Sequence, residues 1–124
     1  MNFPTSGYPI IRKRRNRRSK TIRNLTQECF LSPNDLILPL FIVQGKNKKQ
    51  KIKTMENVFR YSIDQAIETL SQAVSKGIHT TILFPYVEQQ KKSLDASEAY
   101  NPNGLIQEAI AKIKLAFPEL VVIT

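Results

Sequence analysis

The stretch "YSIDQAIETLSQAVSKGIHTTILFPY", residues Tyr61 to Tyr86, narrows the possible folds more than any other part of the chain. Ile63, Ala66, Ile67, Leu70, Ala73 and Val74 recur at i, i+3, i+4, i+7, i+10 and i+11, so they share one face of an α-helix. Ser62 and Gln65 stand at capping-box spacing before that helix, and Lys76 followed by Gly77 is a stop signal. "TTILFPY" follows almost at once, a continuous apolar run of the kind buried on both faces of a parallel sheet. A helix delivered so directly into such a strand predicts a right-handed βαβ unit.

The same grammar repeats on either side. "DLILPLFIVQG" reads as a first strand closed by Gly45, although Pro39 cannot donate to a sheet ladder and usually marks an edge or a strand start. Lys46 to Arg60 reads as a basic, polar connection. A long polar loop, Val87 to Pro102, leads into a second helix with Asn103 as its N-cap and Ile106, Ala109, Ile110 and Ile113 as its apolar face. Pro118 stops that helix, and "LVVIT" opens a third strand. The order arm, β, α, β, α, β predicts an α/β fold with a parallel sheet. Periodicity alone leaves open a doubly wound sheet or a (β/α)₈ barrel.

Charge is divided unevenly along the chain. The net charge is +9, yet eight Lys and Arg residues and no acid lie between Met1 and Arg23, and Lys46, Lys48, Lys49, Lys51 and Lys53 form a second acid-free cluster. Residues 1–30 therefore read as a basic, extended arm, with a short helix around Ser19 to Cys29, ahead of a body over residues 31–124. Outside the two basic clusters six Lys and Arg stand against ten acids, so the rest of the chain is mildly acidic. "RKRRNRRSK" could release counterions from a polyanion, which makes a small nucleic-acid-binding module the alternative function. No aromatic is interleaved among the arginines, which argues against base stacking and for a solvated or subunit-contacting arm. No apolar run reaches membrane-span length, and the start lacks the apolar core of a secretory signal. Its acid-free, Arg-rich composition also resembles that of an organellar transit peptide, but a lone cysteine, Cys29, suits a reducing cytoplasm.

Few residues carry candidate chemistry. His79, the only histidine, lies at the N-terminal edge of the second strand, whereas sites in parallel α/β folds form at the C-terminal edge. It reads as structural, and Cys29 as inert. Phe84, Pro85 and Tyr86 open the long loop at the favoured edge, and its length marks it as a candidate lid. Asp95 and Glu98 could pair as carboxylates there, while Lys91 and Lys92 read as solvated. The residues contain no complete catalytic constellation and no metal-ligand set.

Four segments together resemble the porphobilinogen synthase (5-aminolevulinate dehydratase) family: "RKRRNRRS", "LSPNDLILPLFIVQG", "NVFRYSID" and "LFPYVEQQKKSLDASEAYNPNGLIQEAIAKIKLAFPELVVIT". "SEAYNPNGL" followed by "FPELVVIT" is the most specific part, and the family shares the proline of "LPLF". Glu56–Asn57 departs from the Pro-Gly usual after the methionine, here Met55.

The resemblance implies the N-terminal part of a (β/α)₈ TIM barrel, three strands and two helices, preceded by an arm that embraces a neighbouring subunit of a homo-oligomer, usually an octamer. It implies a lyase that condenses two 5-aminolevulinate molecules to porphobilinogen in tetrapyrrole and heme biosynthesis. Zinc or magnesium, or both, is expected for the full-length family member, with none bound by residues of this chain. The metal-site run and the two Schiff-base lysines are expected beyond Thr124, and Lys91, Lys92, Lys112 and Lys114 match neither lysine. No catalytic role transfers. Phe84 alone carries over, as an apolar wall of the substrate pocket. Three strands cannot close a ring and leave an edge open, so this span by itself is expected to be inactive and poorly soluble, or to fold only with the missing part.

Overall fold

The computed structural model describes Gly7 and residues 12–124, so the first part of the expected arm lies outside the described residues. The chain divides into two compact units, Met1–Leu31 and Ser32–Thr124. In the first, a 3₁₀ turn at Arg14–Arg17 precedes helix α1, Lys20–Leu25. The Ser19 hydroxyl accepts the Ile22 amide at 3.2 Å and caps its start. The helix expected to reach Cys29 ends at Leu25: Thr26, the C-cap, leaves helical geometry at φ −103° and ψ 7°, and both its amide and its hydroxyl donate to the Ile22 carbonyl.

The second unit is an α/β sheet with helices. Its elements are β1 (Leu38–Ile42), β2 (Lys49–Lys51), β3 (Phe59–Tyr61), α2 (Ile63–Val74), β4 (Thr80–Pro85), α3 (Leu105–Ala116) and β5 (Val121–Ile123). The strands lie side by side in the order β2-β3-β1-β4-β5. β3, β1, β4 and β5 run parallel, as the βαβ reading predicts, and β2 alone is antiparallel.

Lys46 to Arg60, expected as a basic, polar connection, carries strand structure. It folds into the β2–β3 hairpin, whose second strand joins β1 at Phe41 and Ile42. Aromatic rings hold the lysine-rich strand: the Lys49 ammonium sits 4.8 Å from the Phe59 ring centre and 5.8 Å from that of Tyr61. The Glu56–Asn57 turn forms without Pro-Gly, with Asn57 at φ +59°, a left-handed conformation that asparagine tolerates.

Pro39 sits inside β1 rather than at a strand start. Backbone groups alternate sides along a strand, and the Ile42 carbonyl accepts Tyr86 N–H while Val43 N–H reaches Tyr61 O. Even-numbered residues of β1 therefore bond toward β4, and Pro39 turns its missing donor toward the β3 side. β3 pairs only from Phe41 onward, so no ladder bond is lost there.

One sheet face carries both helices. Leu40, Ile42 and Leu83 pack with Ile63, Ala66, Leu70, Ala109, Ile113 and Leu120 in a single buried cluster. The two apolar helix stripes are those the periodicity predicts, with Ile67, Ile106 and Ile110 at the margin of the cluster. Helix α2 stops at Gly77, whose φ of +87° lets Ile78 N–H reach the Ala73 carbonyl and Gly77 N–H reach Val74. Its start differs from the expected capping box. Ser62 holds the N-cap position, but its fully buried hydroxyl accepts the Lys48 amide at 2.8 Å instead of capping the helix. The N-cap of α3 is Gly104, not Asn103, whose amide is turned back to the Asn101 side-chain carbonyl at 3.0 Å. Among the described residues no helix is long and apolar enough to cross a membrane.

Candidate functional site

Side chains alternate across a strand, so the residues between the core positions face the other side of the sheet. These are Pro39 and Phe41 of β1, Arg60 of β3, Ile82 and Phe84 of β4, and Val121 and Ile123 of β5, brought into line by the strand register. No described element covers this face: Phe84 is 42% exposed and Val121 54%.

Its C-terminal end is the distinctive part. The Phe41 and Phe84 rings stack with centroids 5.4 Å apart and planes 28° from parallel. Beyond them the Arg60 guanidinium lies 4.4 Å from the centre of the Tyr86 ring. Tyr86 is anchored by its own amide, which extends the ladder to the Ile42 carbonyl at 2.7 Å. Three parallel strands thus deliver an apolar wall and one cation to the edge where ligands of parallel α/β folds bind.

The loop after Tyr86 is more ordered than a polar lid implies, with 3₁₀ turns at Gln89–Lys91 and Ser97–Tyr100. A cavity of about 320 Å³ lies beneath it, lined by Pro85, Val87, Lys92, Ala96, Leu105 and Ile106 among others. Asp95 and Glu98 do not work as a carboxylate pair, because each is engaged by its own loop. Asp95 accepts the Ser97 amide at 3.4 Å and the Tyr100 hydroxyl at 3.3 Å, and Glu98 accepts the Asn101 side-chain amide at 3.1 Å.

The Ser93 hydroxyl, first, and the Ser97 amide and Tyr100 hydroxyl after it, hold the Asp95 carboxyl below its ordinary value of 3.8. A lowered carboxyl pKa stabilises the loop above the ordinary value, and that contribution disappears as pH falls through the lowered one. The loop is therefore expected to stay ordered at neutral pH and to loosen on acidification below the usual carboxylate range. Amide exchange at Ser97, followed against pH, reads this directly. Asp95→Asn should remove the pH dependence, and a variant that titrates like the parent would contradict the role given to Asp95.

The remaining expected positions fall as follows. His79 is exposed at the N-terminal edge of β4, and only its backbone carbonyl is engaged, by Val121 N–H. Cys29 is exposed and unpaired in the other unit. Lys91 donates to the Gln44 side chain at 3.3 Å, Lys112 pairs with Glu108 at 2.6 Å, and Lys114 donates to the Leu120 carbonyl at 3.0 Å. Among the described residues no three His, Cys, Asp or Glu side chains gather to hold a metal ion. Arg60 and Phe41 escaped the sequence reading. The available signal was the alternation Phe59-Arg60-Tyr61, a single cation between two aromatics at strand spacing.

Comparison with known proteins gives a consistent match. The family model for delta-aminolevulinic acid dehydratase matches residues 10–124. The delta-aminolevulinic acid dehydratase of Bradyrhizobium diazoefficiens is 41% identical over 110 residues, covering 89% of this chain and 31% of that protein. The Chlamydia pneumoniae protein of the same name is 37% identical, covering 91% of this chain and 34% of its own length. The chain thus spans about a third of the length of the curated relatives it matches. The crystal structure of the Toxoplasma gondii delta-aminolevulinic acid dehydratase, in complex with the reaction product porphobilinogen, superposes with a TM-score of 0.83 at 38% identity. That superposition covers 90% of this chain and 32% of the Toxoplasma chain.

Proposed function

The chain belongs to the delta-aminolevulinic acid dehydratase family, and on that premise we propose that it forms part of a porphobilinogen synthase, a lyase condensing two 5-aminolevulinate molecules into porphobilinogen. The observation that carries this reading is the match over residues 10–124 together with the likeness to a product-bound enzyme.

In this reading the five-stranded sheet contributes the first strands of a (β/α)₈ barrel. Barrel interiors are filled by inward side chains from successive strands, and Pro39, Phe41, Ile82 and Phe84 form such a row here. Phe84 serves as an apolar wall of the substrate pocket, stacked on Phe41 at the C-terminal edge. The basic arm serves assembly, contacting a neighbouring subunit of a homo-oligomer, an octamer in the form we favour. The cytoplasm is the compartment that a lone exposed cysteine suits. Zinc or magnesium, expected for the family, does not fit these residues, since the described ones gather no ligand set. No catalytic step is assigned to this span.

A chimaera tests the proposal. Residues 10–124 replace the matching segment of the Bradyrhizobium diazoefficiens enzyme, and porphobilinogen formation from 5-aminolevulinate is measured. The chimaera is expected to stay within about tenfold of the parent rate, a barrier change of about 1.4 kcal/mol. A folded chimaera with only background activity would refute the assignment. The isolated span is expected to give no porphobilinogen.

A further inference from the structure

Arg60 is the only charged residue that the described strands place on the open sheet face. It is half-buried, and its guanidinium makes neither a hydrogen bond nor an ion pair with any described residue; its one recorded partner is the face of Tyr86 at 4.4 Å. A guanidinium keeps its charge at all working pH values and carries five N–H donors around its rim. Stacking on a ring uses the flat face and leaves that rim free. It also fixes the plane, so little freedom is lost when the rim binds a partner. The group whose geometry matches this fork is a carboxylate, bound through two parallel hydrogen bonds. Next to it, the Phe41–Phe84 stack offers an apolar surface to whatever carries that carboxylate.

We propose that Arg60, held by Tyr86, is a carboxylate-binding residue for a short aliphatic acid lying against Phe41 and Phe84. The proposal deepens the preceding reading and rests on it in one respect, that the C-terminal edge of this sheet is a ligand mouth. The competing source of a carboxylate is an Asp or Glu side chain of a protein segment laid over the open face.

Levulinate and its uncharged amide, levulinamide, are the probes, titrated at constant ionic strength into the chimaera with isotope-labelled arginine. The Arg60 Nε–Hε resonance is expected to move saturably with levulinate and to stay in place with the amide. Arg60→Gln should weaken levulinate binding about tenfold or more, the scale of a lost charge-assisted hydrogen bond. Tyr86→Leu, which keeps the charge and removes the ring, should weaken it by a smaller factor. Equal responses to acid and amide would overturn the proposal. So would unchanged levulinate binding in Arg60→Gln, the result expected if the partner is a protein carboxylate. Levulinate binding retained in an inactive chimaera would count against the synthase reading alone, and the reverse result against this inference alone.

Discussion

Leu70→Ala is expected to destabilise the sheet–helix unit by about 2–5 kcal/mol, the range for truncating a fully buried leucine. Leu70 is 1% exposed and lies in the cluster that joins α2 to β1, β4 and α3. Its neighbours in that cluster include Ala66 and Ala109, whose methyl groups cannot reach into the space a lost isobutyl group leaves. The cavity therefore stays open, and its cost adds to the lost transfer energy. Against a typical domain stability of about 5–15 kcal/mol, that is a large fraction. Urea denaturation should show a lower midpoint with an unchanged slope. Leu115→Ala is the control, because Leu115 is 85% exposed on α3 and should shift stability by no more than about 0.5 kcal/mol. Equal midpoints for the two variants would disprove the core described above.

Ser62→Ala is expected to cost about 0.5–1.5 kcal/mol, the net contribution of a part-buried hydrogen bond. The donor is the Lys48 amide, which bonds the Ser62 hydroxyl at 2.8 Å, while the Ser62 amide returns a bond to the Lys48 carbonyl at 3.0 Å. One position along, the Asp64 carboxylate accepts the Asn47 amide at 2.8 Å. These bonds fasten the entry of the β2–β3 hairpin, just before β2, to the start of α2, and the hairpin carries Arg60. Losing the hydroxyl should therefore loosen that open end of the hairpin first. Amide exchange at Lys48 and Asn47 is expected to accelerate before exchange in β1 or β4. Unaltered protection of the Lys48 amide in the variant would rule out the role given to Ser62.

What was legible in the sequence follows from which forces are local. Helix α2 declares itself because six apolar residues keep helical spacing and Gly77 ends the run. β1, β4 and β5 are continuous apolar segments, and their parallel pairing follows from the helices between them. The β2–β3 hairpin left no such trace. Its first strand is Lys49-Gln50-Lys51, three residues of low strand preference that extend only because Phe59, Arg60 and Tyr61 pair with them. Ser62 was read at the right place with the wrong partner, since Lys48 comes near it only once the hairpin has folded back. The candidate site divides the same way. Phe84 could be placed at a strand end from composition alone. Arg60 could not, because what distinguishes it is Tyr86, brought beside it across β1 by the fold.

The two borders of the sheet differ in how they would meet another chain. β2 is short, exposed and lysine-bearing, so two copies approaching along it repel before their backbones can pair. β5 carries Val121, Val122 and Ile123, β-branched residues of high strand preference with no repelling charge among them. Among the described strands, one border of the sheet is thereby guarded against pairing with another chain, and the other carries no such guard.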